Sequence, residues 1–304
     1  MNILPSWSDC KGREQGRSGG RPVVLAHRGL LRGRAGQPAA QDPPENSLAA
    51  FEQVANAAAN GVAGVEVDAR LSADGVVVVH HDPQLADGRL LAEVPAADLP
   101  PGVPTLRAAL AALRGRLVDV EVKASPLELG PESTAALVRA VVACLAETRR
   151  EVLVRPGPGP VPVPGPVPDP AASWLLSCFW PEALEALGAA AAEADLPLAR
   201  GWLLRPGLQA TALLGRAEAL GATWVLPFVE DLDPVAVAAA QEAGFGVMTW
   251  TVLPGPALGA CLTAGVDGVI ADEALAVAAE VRAATEPPSS GLVEPGGLRE
   301  QSRP

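Results

Sequence analysis

Short runs of valine, leucine and isoleucine recur along this chain, each separated from the next by an alanine- and leucine-rich stretch with helical spacing. Apolar, β-branched runs this short read as buried strands, and the longer periodic segments between them as helices. Strands are expected over 23–26, 64–68, 117–122, 174–179, 201–204, 223–227, 246–252 and 268–271. Helices are expected over 47–60, 105–113, 132–147, 181–193, 210–220, 234–243 and 255–264. A helix between two strands returns the chain to the same end of the sheet, so the strands should run parallel in an α/β fold. Eight strands separated by helices predict a (β/α)8 barrel; an open doubly wound sheet would show the same alternation.

Two segments interrupt the pattern. Residues 76–79 follow the turn Ala73-Asp74-Gly75 and should form a small hairpin insertion after the second strand. Residues 156–170 alternate proline with glycine or valine, too proline-dense to join a sheet. They are expected to form a surface loop, with a lid as the alternative. Residues 1–20 and 285–304 are rich in glycine, serine and charge and read as disordered tails. One barrel domain is therefore expected over 21–284.

Composition narrows the partners. Apolar residues make up 49% of the chain, enough for a sizeable core, and the formal net charge is -12. Nucleic-acid binding needs clustered lysine and arginine and is not expected. No window reaches the roughly 18–20 uncharged apolar residues needed to span a bilayer. The first twenty residues carry Lys11, Arg13, Glu14 and Arg17 with no apolar run, unlike a secretory leader, so a cytoplasmic location is expected. Four scattered cysteines without CxxC spacing point to neither a zinc site nor a disulfide framework.

The chemistry concentrates at strand ends. His27-Arg28 closes the first strand, Glu66-x-Asp68 the second and Glu121-x-Lys123 the third. Glu45-Asn46 opens the first helix, and His80-His81-Asp82 follows the hairpin. Residues two apart on a strand share a face, so Glu66 and Asp68 present two carboxylates together while Val65 and Val67 face the helices. Carboxylates gathered in a barrel mouth repel one another and lose hydration unless something pairs with them. One hard divalent cation, Mg²⁺ or Ca²⁺, is the simplest partner. Arg28 and Lys123 would offset an arriving phosphate. The chain has only three histidines, all in these clusters. His27 and His81 suit an acid/base pair, while His80 points the other way along the strand and reads as structural.

These residues also carry a family resemblance. HRG at 27–29, PENS at 44–47, GVEVDARLSADG at 64–75, VVVHHD at 77–82, VPTL at 103–106 and EVK at 121–123 are similar to motifs of the glycerophosphodiester phosphodiesterase family. Later stretches, MTWTV at 248–252 and GVDGVIADE at 265–273, keep the same order. The resemblance implies a TIM barrel that hydrolyses small glycerophosphodiesters, such as deacylated phospholipids, to sn-glycerol 3-phosphate and an alcohol. That places it in lipid and glycerol metabolism. It implies Glu66, Asp68 and Glu121 as metal ligands and His27 and His81 as acid/base groups. Arg28 and Lys123 would contact phosphate, Trp250 would line the glycerol pocket, and Glu45 with Asn46 would support the ligands. Departures lie in the longer interval between Arg28 and Glu45, in Ala86-Asp87-Gly88-Arg89 after the second histidine, and in Leu253 after the WTV run. They bear on substrate preference. A lysophospholipase D, a phospholipase C-like phosphodiesterase and a non-catalytic phosphodiester-binding barrel are the alternatives. Oligomeric state is not readable from the sequence.

Overall fold

The structure, a computed structural model, describes residues 6–11, 21–31, 42–154, 169–208 and 210–285. Among them are nine strands: β1 (Val23–His27), β2 (Val62–Leu71), β3 (Val77–Val79), β4 (Leu117–Val122), β5 (Trp174–Cys178), β6 (Ala199–Leu203), β7 (Trp224–Leu226), β8 (Gly246–Val252) and β9 (Gly268–Ala271). All but β3 run parallel. The last strand pairs with the first, Leu25 opposite Ile270, and the first pairs with the second, His27 opposite Glu66. That closure makes an eight-stranded (β/α)8 barrel and excludes the open sheet. β3 runs antiparallel along the protruding end of β2, Ala69 opposite Val79, as the hairpin reading expected.

The helices are α1 (Trp7–Cys10), α2 (Leu48–Asn56), α3 (Leu106–Ala112), α4 (Pro126–Val154), α5 (Pro181–Glu193), α6 (Leu214–Ala219), α7 (Pro234–Glu242), α8 (Pro256–Ala264) and α9 (Ala274–Thr285). Side-chain caps set several starts: Ser47 accepts from Ala50 N, Thr105 from Ala108 N, and Asp233 from Val235 N. The helix expected over 47–60 is shorter, ending at Asn56 before a separate 3₁₀ turn, Ala58–Asn60. α4 starts earlier than residue 132 and bends at Gly130, whose φ of 72° breaks the helical run. α9 was not anticipated. Its buried Ala274, Val277, Ala278 and Val281 share one helical face and complete the last βα unit.

Strand parity divides the core in two. Val65, Val67, Val118, Val120 and Val247 face outward into the helix layer. Leu25, Leu117, Leu175, Leu203, Trp224, Leu226, Met248 and Ile270 fill the barrel. Trp7 joins this inner set, 1% exposed, in a T-shaped contact with Trp224 whose ring centroids lie 5.2 Å apart. Its indole N–H donates to the Ser173 carbonyl at 2.9 Å. The tail expected over 1–20 therefore does not hold for residues 6–11: a large apolar ring closes the barrel floor. The rest of that stretch, residues 156–168 of the proline-rich segment and residues 286–304 lie outside the described residues. Asp169 receives two guanidinium nitrogens of Arg149, which ties it to α4.

Candidate active site

The strand-end clusters meet at the C-terminal mouth of the barrel. Glu66 and Asp68 project from β2 and Glu121 from β4, and a carboxylate oxygen from each lies within 4.8 Å of the other two. Parallel register produces the convergence, with Asp68 directly opposite Glu121. Lys123 Nζ reaches both, 2.8 Å from Asp68 Oδ1 and 2.8 Å from Glu121 Oε1. Arg28 donates to Glu45 Oε1 at 2.9 Å, and its Nε stands 3.3 Å from Asp68 Oδ2. The Asn46 side-chain amide donates to Asp68 Oδ2 at 2.7 Å.

Two loops hold these groups in an uncommon backbone conformation. Arg28 and Asn46 have φ of 58° and 55°, in the left-handed region that residues with a Cβ seldom occupy. Each is tied down: Arg28 N donates to Glu66 O at 3.0 Å, and Asn46 N to Arg28 O at 2.7 Å. Gly29 is required beside them, since a Cβ there would stand 2.5 Å from the Ala50 Cβ of α2.

Burial and charge drive the two β2 carboxyls apart. Burial pushes Glu66 well above the usual carboxylate range, and the neighbouring Asp68 and Glu121 push further in the same direction. Burial would raise Asp68 too, but Lys123, Arg28 and His81 outweigh it and hold it low. Burial weakens the Lys123 and Arg28 cations, yet the surrounding carboxylates more than compensate and keep both charged. Both oxygens of Glu66 are buried without a hydrogen-bond partner among the described residues. Oxygen ligands with unsatisfied lone pairs facing two more carboxylates suit a hard divalent cation, so these residues fit the expected metal.

The imidazoles lie on this cluster. His27 Nε2 stands 3.8 Å from Glu66 Oε2, and its other nitrogen, Nδ1, is 2.6 Å from Asp272 Oδ1. His81 Nδ1 is 2.7 Å from Asp82 Oδ1. Burial lowers the His81 pKa, and Lys123 and Arg28 add to the effect against the opposing pull of Asp68. His80 turns away, its Nδ1 2.8 Å from the Asp82 carbonyl. Trp250 sits half-buried at the mouth, its ring N–H bonded to Leu226 O, in a T-shaped contact with Phe179 and a tilted one with Phe228.

Two acids here escaped the sequence reading. Asp272 follows β9 and has the inward parity of Ile270, a signal like that of the other strand-end acids. Asp119 lies two residues before Glu121, on the same face, and is wholly buried inside the barrel. Burial raises its pKa to about 8, and the Ser177 hydroxyl tempers the rise without reaching full hydrogen-bond geometry.

A closed (β/α)8 barrel with a cation-competent acid cluster and two imidazoles at the strand C-termini has the architecture of a barrel enzyme. Residues 27–149 match the model of the Glycerophosphoryl diester phosphodiesterase family. The match spans His27 to Lys123, every proposed residue but Trp250. Solved structures show the same fold. An Oleispira antarctica phosphodiesterase in complex with the product sn-glycerol-3-phosphate is 24% identical, with TM-score 0.62, over 86% of this chain and 96% of that one. A glycerophosphodiester phosphodiesterase from Thermotoga maritima is 20% identical, TM-score 0.61, over 87% and 99%. One from Parabacteroides distasonis is 18% identical, TM-score 0.66, over 88% and 100%. None of the curated proteins compared matches the chain. No helix among the described residues is long and apolar enough to cross a membrane.

Proposed function

We propose that this chain hydrolyses glycerophosphodiesters to sn-glycerol 3-phosphate and an alcohol, using one divalent cation, Mg²⁺ or Ca²⁺. The observation that carries the reading is the approach of Glu66, Asp68 and Glu121 to within 4.8 Å of one another. His27, His81, Arg28 and Lys123 surround them. The product-bound Oleispira antarctica structure supports the substrate class.

Glu66, Asp68 and Glu121 would hold the cation, which when bound would polarise the phosphoryl oxygens. Arg28 and Lys123 supply positive charge to the same oxygens once a phosphate enters. Asn46 and Glu45 brace this arrangement, one on Asp68 and the other on Arg28. With Nδ1 held by Asp272, His27 has Nε2 left to take a proton from the glycerol hydroxyl beside the ester. The hydroxyl oxygen then bonds to phosphorus, the bond to the leaving alcohol breaks, and His81 protonates the departing oxygen. A lowered pKa makes protonated His81 a stronger acid than an ordinary imidazolium. Water opens the resulting cyclic phosphate by the reverse transfers: His81 removes its proton, and His27 returns one to the glycerol oxygen. Trp250, flanked by Phe179 and Phe228, offers an apolar wall for the glycerol carbons.

The test is release of sn-glycerol 3-phosphate from a panel of glycerophosphodiesters, with lysophosphatidylcholine alongside. Turnover should vanish with chelator, return with Mg²⁺ or Ca²⁺, and be lost in His27→Ala. Wild-type turnover by His27→Ala would overturn the mechanism. Choline release from lysophosphatidylcholine alone, leaving lysophosphatidic acid, would move the assignment to a lysophospholipase D.

A further inference from the structure

Below the acid cluster the barrel holds a polar layer that the proposed reaction does not use. Asp119 is 0% exposed, and neither carboxyl oxygen has a hydrogen-bond partner among the described residues. Ser177, also 0% exposed, has an unpartnered hydroxyl on the neighbouring strand. Register sets Asp119 directly beside Glu66 on one side and Leu175 on the other, while Ser177 stands beside Glu121. The next inward residue on the floor side is Leu117.

Apolar packing gives no reason for this composition. A leucine at 119 would continue the apolar lining of Leu117 and Leu175 and remove a buried carboxyl eased only by the misaligned Ser177 hydroxyl, a costly group to hold. The cations above do not compensate it, because Lys123 and Arg28 are engaged with Asp68, Glu121 and Glu45. What Asp119 does adjoin is Glu66, whose two oxygens are equally unpartnered, and Glu121 one pleat higher. Groups behind metal ligands fix the ligands' orientation, and their loss commonly weakens metal affinity.

We infer that Asp119 is a positioning residue for the candidate metal centre, a polar support beside Glu66 and beneath Glu121 that keeps their carboxylates converged. The inference rests on the metal reading of Glu66, Asp68 and Glu121. It requires polarity at 119 and no particular charge, so asparagine should serve and leucine should not.

The experiment titrates Mg²⁺ or Ca²⁺ alone into chelator-stripped protein by calorimetry and records the melting temperature of the metal-free form. Asp119→Leu should weaken the cation about 10–100-fold while raising the metal-free melting temperature, because the unpartnered carboxyl is gone. Asp119→Asn should bind within about 3-fold of wild type, short of the 10-fold loss typical when such support is removed. A merely structural residue would lower melting temperature and affinity together. Unchanged affinity in Asp119→Leu, or equal loss in both variants, would overturn the inference. Should Asp119→Leu fail to fold, Asp119→Ala against Asp119→Asn makes the same comparison. A wild-type chain that binds neither cation would overturn the metal reading itself, and the inference with it.

Discussion

His27 Nδ1 lies 2.6 Å from Asp272 Oδ1, across 245 residues of chain, because the first and last strands pair to close the barrel. The contact fixes the imidazole ring and leaves Nε2 directed at the acid cluster, 3.8 Å from Glu66. A carboxylate in this position also stabilises the imidazolium that forms when the ring takes a proton.

Replacing Asp272 with asparagine keeps the shape and removes the charge. Turnover should fall about 10²–10⁴-fold, the usual contribution of an oriented general base. KM and cation affinity should stay close to wild type, since Asp272 touches neither the metal ligands nor the expected phosphate groups. Steady-state kinetics beside calorimetric cation titration separates the two effects. Normal turnover in Asp272→Asn would remove it from the mechanism.

Asn46 joins a strained backbone to the orientation of Asp68, and two substitutions separate these roles. Asn46→Gly keeps the left-handed conformation at little steric cost but removes the amide that donates to Asp68 Oδ2. Asn46→Ala removes the amide and adds a conformational penalty of about 1–2 kcal/mol. Cation affinity should drop about 10-fold or more in both. Melting temperature should fall further in Asn46→Ala than in Asn46→Gly. A glycine variant that binds the cation as wild type does would show that Asp68 needs no such brace.

Parity made the β2 and β4 acids readable before any coordinates, because a two-residue spacing can mean only one face of a strand. The same rule would have found Asp119, two residues from Glu121, and Asp272, two from Ile270. What hid them was context. An acid in the middle of an apolar strand resembles an isolated exception, and the partner of Asp272 is at the other end of the chain. Trp7 was unreadable for another reason: a single ring among glycine, serine and charged residues carries no periodicity, and only the closed floor of the barrel gives it a place. The start of α4 before Gly130 was unreadable too, since Pro126–Leu129 is too short to show helical periodicity. Barrel closure itself was not decidable from alternation; the pairing of β1 with β9 decides it.

The buried acids give the metal-free protein a distinctive pH response. Asp119 has a folded pKa of about 8 against an ordinary 3.8. Between those values the folded state holds a proton that the unfolded chain lacks, so this contribution to stability is complete below about pH 4 and is lost as pH rises through 8. Glu66, also raised, acts in the same direction. Asp68, held low, acts oppositely, its contribution lost only as pH falls below the ordinary carboxylate range. Urea unfolding of chelated protein should therefore lose stability from pH 5 to 8, with a slope of up to about 1.4 kcal/mol per pH unit for each such proton. Asp119→Asn cannot titrate and should flatten the curve. Identical slopes in both proteins would show that Asp119 ionises normally.

Trp7 permits a test at the opposite end of the barrel. The ring is 1% exposed, packed edge-on against Trp224 and bonded to Ser173, so Trp7→Ala should open a cavity under the inner core. Substitutions of this kind cost about 3–5 kcal/mol. The acid cluster stands on β2 and β4 at the strand C-termini, with the layer of Leu117 and Leu175 between it and the floor. Stability should therefore fall sharply, while turnover and cation affinity measured well below the melting transition stay within about 2-fold of wild type, as expected for well-separated sites. Denaturant unfolding beside kinetics at low temperature reads both. An unchanged unfolding midpoint would mean that Trp7 does not close the barrel floor.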